Sequence, residues 1–147
     1  LSLPLIARAI DALAVRQPLH GRLAAAYSAL ELLENAVQEL GFLDAPDPPP
    51  RWAAIHQHAA QARADLAGAP SIAWPLTTPP PTVALAIHDL ATVTSRLIDL
   101  AEALTEALLV TAQQAADTAD ALYVLKAMVR AQALTTELHR SLAHGPR

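Results

Sequence analysis

The sequence predicts an all-α fold: an antiparallel (up-down) four-helix bundle with an additional short N-terminal helix and a proline-rich strap. Three observations predict it. Apolar residues recur at alternating three- and four-residue steps through most of the chain, the spacing of a single helix face. Valine and isoleucine are sparse and never alternate with polar residues over a strand-length run. The chain is 53% hydrophobic but only 3% aromatic, so its core calls for closely approaching helices rich in alanine and leucine. With 147 residues, the whole length 1–147 suits one domain with a real core.

Taken in order, a short helix is expected over 3–16. Ser2 can cap it, and Pro4 is tolerated in its first turn. Leu5, Ile6, Ala9, Ile10, Leu13 and Ala14 give it one apolar face. Pro18 disfavours helical geometry at Gln17 and so ends it. The second helix, 20–40, carries the most regular seam of the chain: Leu23, Ala26, Leu30, Leu33, Val37 and Leu40. Gly41 is expected to close it in a left-handed conformation, with Phe42 folding back onto Val37. The third helix, 49–67, is capped by Asp47, carries Trp52, Ile55, Ala59, Ala62 and Leu66 on one stripe, and closes at Gly68. Residues 69–81 contain Pro70, Pro75, Pro79, Pro80 and Pro81. So many prolines make a stiff, extended linker, expected to run as a strap along the bundle with Ile72 and Trp74 as anchors.

From Thr82 to His144 there is neither glycine nor proline. Val83, Ile87, Leu90, Leu97, Leu104 and Leu108, followed by Leu122, Leu125 and Val129, form its apolar stripe. One unbroken helix of this length would span about 90 Å, more than the upstream helices can cover. A hairpin of two helices, 82–109 and 112–143, is therefore expected. Thr111 with Gln114 reads as a capping box at the break, and Asp117 with Asp120 as a second start slightly later. Gly145 and Pro146 supply the stop.

The formal charge is −4 and the isoelectric point about 5.8. The arginines are scattered, from Arg8 and Arg16 through Arg63 and Arg96 to Arg140, with no basic face, which argues against a nucleic-acid partner. Cysteine is absent, which excludes disulfides and thiol chemistry and fits a cytoplasmic protein. Glu102 and Glu106 interrupt the best apolar run, so no membrane span is expected. Lys126 is the single lysine and Asn35 the single asparagine, a bias expected of a high-GC bacterial genome. The chain opens on Leu1, so its native N-terminus is expected to lie upstream.

Chemistry is thinly represented. A di-metal site between bundle helices needs Glu-x-x-His on two of them, and this spacing occurs nowhere. His56 and His58 fall on different helix faces, and His139 and His144 lie near a helix end. They read as solvated histidines, so no metal and no cofactor is expected. Asp99, Glu102 and Glu106 share the polar side of their helix; they offer an acidic pair for acid–base work or a solvated face in which Arg96 supports Asp99. No glycine-rich phosphate loop is present. Ser28, Ser71, Ser95 and Ser141 have no context that marks a nucleophile.

One stretch carries a chemical pattern: Ile87-His88-Asp89-Leu90-Ala91-Thr92-Val93-Thr94-Ser95-Arg96-Leu97. It resembles the phosphoacceptor helix of histidine-kinase dimerisation domains, over about ten residues. The resemblance implies His88 as phosphoacceptor, Asp89 as its acidic neighbour and base, and Thr92 as the residue that positions water. Ala91 and Val93 stand where that family carries arginine and proline, and no ATP-binding domain follows. The leading expectation is a non-catalytic interaction or scaffold protein whose partner is another protein, with a homodimer through alanine-rich faces such as Ala112, Ala115, Ala116 and Ala119 as one form. The alternative is a histidine phosphotransfer protein using His88.

Overall fold

The computed structural model describes residues 2–44, 50–72 and 89–144. Among them the chain forms five helices and no strand: α1 (Ser2–Ala14), α2 (Leu19–Asp44), α3 (Pro50–Ala67), α4 (Leu90–Gln114) and α5 (Thr118–His144). Helices α2, α3, α5 and α4 form a ring in that cyclic order, each packed on two neighbours, while α1 covers the seam between α2 and α4. Buried side chains from all five helices merge into one apolar core.

The contacts fix the direction of each helix. Arg51 and Trp52 at the start of α3 meet Leu90 and Ala91 at the start of α4 and Leu142 at the end of α5. At the other end, Arg22 of α2 and Leu13 of α1 line a groove with Val110 and Gln114 of α4. Ser71, just beyond α3, bonds Asp120 in the first turn of α5. Every neighbouring pair in the ring is thus antiparallel. The chain order, however, is up-down-down-up rather than alternating, because α3 and α4 run the same way. The end of α3 and the start of α4 therefore lie at opposite ends of the bundle. The expected anchor Trp74 lies outside the described residues, whereas Ile72 is buried.

The α2 seam is buried throughout, from Leu23 to Leu40. Tyr27, Ala29, Leu32 and Ala36 are buried as well, because α2 is covered by α1, α3 and α4 at once. Its C-terminus departs from expectation: the helix runs through Gly41 to Asp44 and leaves Phe42 largely exposed, not folded back on Val37. The α3 stripe, Trp52, Ile55, Ala59, Ala62 and Leu66, is buried as expected. Gly68 follows α3 for a different reason from the one anticipated. A Cβ there would sit 2.7 Å from the Tyr123 ring, so the position is kept small by the close approach of α5.

The boundaries of the fourth and fifth expected helices shift toward the C-terminus. Asp89 is extended (φ −63°, ψ 133°) and caps α4, so the helix starts at Leu90 and not at 82. At the other end the Thr111 hydroxyl donates to the Ala107 carbonyl at 2.7 Å within a continuing helix. It therefore caps nothing, and the 109/112 break is replaced by a turn at Ala115–Asp117, with the Ala115 amide shared between the Thr111 and Ala112 carbonyls. The second candidate start is the one used: Asp117 Oδ1 accepts from the Ala119 amide at 2.7 Å, a side-chain cap on α5.

Candidate interaction face on α5

The rotation of α5 about its axis is set at its first turn. Asp120 is 1% exposed. One of its carboxylate oxygens accepts from the Ser71 amide at 2.8 Å and the other from the Ser71 hydroxyl at 2.5 Å. A buried carboxylate is tolerated because both oxygens are satisfied. With Asp120 held inward, positions four, seven and eleven further on also turn inward. These are Val124, Ala127 and Ala131, and Leu134 and Leu138 continue the face; all five are buried. Tyr123, packed against Gly68, fixes the side of α5 that meets the end of α3.

Leu122, Leu125 and Val129 consequently point away from the core, at 51%, 39% and 59% exposure. This corrects the sequence reading, which placed these three on the buried stripe. The helix is apolar on two faces. Its outward face carries the larger side chains, while its inward face is built partly from alanine, so the larger residues misled the phase. Single exposed apolar residues are ordinary on protein surfaces, but three at i, i+3 and i+7 form a continuous stripe. Leu109 of α4, also partly exposed, lines a groove beside that stripe together with Met128 and Gln132. The alanines expected to admit a second helix share no helix face, because Ala115 and Ala116 lie in the α4–α5 turn.

The remaining candidates serve other purposes. Asp89 Oδ2 accepts from both the amide and the hydroxyl of Thr92, at 3.2 and 3.1 Å. The pair forms the N-terminal cap of α4 at an exposed position, and His88 lies outside the described residues. Arg96 pairs with Asp99 at 2.9 Å, as the i, i+3 spacing suggests, and both are solvated. Glu102 instead meets His139 across the α4–α5 groove at 3.1 Å. No group of three or more His, Asp or Glu side chains able to hold a metal occurs among the described residues. No helix among them is long and apolar enough to cross a membrane.

Two further features were not legible in advance. Glu34 of α2 and Arg63 of α3 pair through both carboxylate oxygens, at 2.6 and 3.3 Å, and Arg63 also donates to the Tyr27 hydroxyl at 3.1 Å. The Glu34 hydrogen bond, followed by that of Tyr27, raises the guanidinium above its ordinary range. This cluster staples α2 to α3. The second feature is an open groove of about 490 Å³ between α1 and α2, lined by Leu5, Ala9, Val15, Ala25 and Leu32 and, among the described residues, by no charged side chain.

Comparison with protein-family models, with curated proteins and with solved structures finds no match for this chain.

Proposed function

We propose that this protein is a non-catalytic interaction protein. In this reading it is a four-helix bundle, with α1 as an added helix and the linker after α3 as a strap, that offers the outward face of α5 to a protein partner. The observation that carries the proposal is the exposed stripe of Leu122, Leu125 and Val129. A helix whose rotation is fixed from inside by Asp120 cannot turn these side chains into its own core. Removing each from water is worth up to about 1.5–3 kcal/mol, enough for a small set of apolar anchors to dominate an interface. The stripe is also bordered by charged side chains, which give a partner an orientation.

The test places a photo-cross-linking amino acid at Val129, in the cells that make the protein, with the exposed Gln57 of α3 as control site. A discrete protein adduct is expected from Val129 and not from Gln57. Absence of any adduct from Val129 overturns the proposal.

A further inference from the structure

We propose that the partner on the α5 face is a second copy of this chain, with the two α5 helices running parallel about a two-fold axis that lies along them. The inference rests on α5 being an interface and adds the identity and orientation of what covers it.

The two flanks of the stripe differ in charge. Lys126 stands over the Tyr123 ring at 5.2 Å, and Arg130 follows seven residues after Tyr123, so both lie on the flank toward α3; Glu137, a further seven residues on, shares that flank with its charge paired to Arg140 at 2.6 Å. Lys126 and Arg130 are exposed. On the other flank, across the groove that holds Leu109 and Met128, stand the exposed Glu102, paired with His139, and Glu106, which also borders the groove lined by Arg16 and Arg22. Arg130 and Glu106 have no hydrogen-bond or ion-pair partner among the described residues.

Symmetry decides what these flanks would meet. A two-fold axis parallel to α5 lays the basic flank of each copy against the acidic flank of the other. A two-fold axis perpendicular to α5 makes the helices antiparallel and sets basic against basic and acidic against acidic, which like-charge repulsion disfavours. The heights agree with the first arrangement. Glu106 shares its groove with Gln132, which is two residues from Arg130, so the two charges lie within about one helical turn (~5 Å) along the axis. The symmetry generates the pair twice, on either side of the apolar stripe. The area is also sufficient. The 27 residues of α5 extend about 40 Å, and two helices side by side are about 20 Å wide. That is about 800 Å² on each copy, the half-share of a stable interface.

The test is light scattering and sedimentation of the purified full chain. The wild type should sediment at twice the 15.5 kDa chain mass, and Val129→Glu should return it to a single mass with unchanged helical circular dichroism. Glu106→Arg and Arg130→Glu should each weaken association about tenfold or more, while the double swap should return to within about threefold of wild type. Within one chain these residues stand on opposite flanks of α5, so recovery can arise only between copies. A single-mass wild type at about 100 µM overturns the inference, as does a dimer indifferent to Val129→Glu or a double swap no better than its parents. A monomer whose Val129 probe still cross-links a different protein in cells overturns the second copy and leaves the interface reading in place. No adduct of any kind overturns both.

Discussion

Helices α2 and α5 are of similar length, 26 and 27 residues, and both show an apolar seam in sequence. In α2 that seam is the core: every residue from Leu23 to Leu40 in it is buried. In α5 the most conspicuous seam, Leu122, Leu125 and Val129, faces outward. The difference lies in how many solutions each helix offers. On α2, the side opposite Leu30 and Leu33 carries Ser28, Asn35 and Glu39, so only one rotation buries the seam. On α5, Val124, Ala127, Ala131, Leu134 and Leu138 compete with Leu122, Leu125 and Val129. Alanine loses the comparison by size, although it permits the closer approach to α3 and α4. Periodicity reports that a face exists; which of two faces turns inward is decided by a tertiary anchor, here Asp120 on Ser71.

The largest effect expected from this comparison is on the inward faces. Leu33→Ala in α2 and Leu134→Ala in α5 each remove a side chain with no exposed surface. Each should destabilise by about 2–5 kcal/mol in denaturant unfolding. A mild loss at Leu134 beside a severe one at Leu33 would mean that α5 does not sit in this rotation.

Next comes the anchor itself. Asp120→Ala removes a buried, charged acceptor from the amide and hydroxyl of the exposed Ser71, and hydrogen bonds to a charged group are worth about 1.5–3 kcal/mol. Asp120→Asn keeps an acceptor and should lose less. Amide exchange should rise at Ser71 in the alanine variant. Unchanged protection there would show that other contacts fix α5, and the explanation of its phase would need replacing.

The all-helical class and the buried stripes of α2 and α3 were legible because apolar residues recur there at helical spacing, whereas the stop read at Gly41 was not, since α2 runs through it. The start of α4 was misread because the apolar pattern continues upstream through Ile87, while an aspartate cap at position 89 overrides it. The α4–α5 turn was misplaced by five to six residues because Thr111 has the composition of a cap but bonds backward to Ala107, an alternative open to any helical threonine. The candidate face was visible as residues and invisible as a site, since exposure depends on the Ser71–Asp120 contact across 49 positions of sequence.

A smaller effect separates capping from chemistry at Asp89. Its carboxylate binds the Thr92 amide and hydroxyl. Asp89→Ala should therefore cost about 1 kcal/mol, and Asp89→Asn only a few tenths, since asparagine caps about as well. The phosphotransfer alternative predicts a different order: asparagine, unable to act as a base, would abolish acid-labile labelling by small phosphodonors while leaving stability intact. Labelling of the wild type that disappears in both Asp89→Asn and His88→Gln would favour phosphotransfer over a purely structural Asp89.

The smallest effect on folding belongs to the outward stripe, and it closes the comparison with α2. Leu122→Ser and Val129→Ser remove apolar groups that are already half in water, so the isolated chain should change by no more than about 0.5 kcal/mol. Concentration matters here, because an assembly that buries the stripe adds its own stability by mass action. The measurement is therefore a pair of unfolding curves, one dilute and one concentrated. In the dilute curve the variants and the wild type should coincide. In the concentrated curve only the wild type should gain stability, because only it retains the apolar stripe that association buries. A loss of about 2 kcal/mol or more in the dilute curve would place Leu122 and Val129 in the core of the single chain. It would return α5 to the rotation that the larger side chains suggested, and leave the α2 pattern as the rule for both helices.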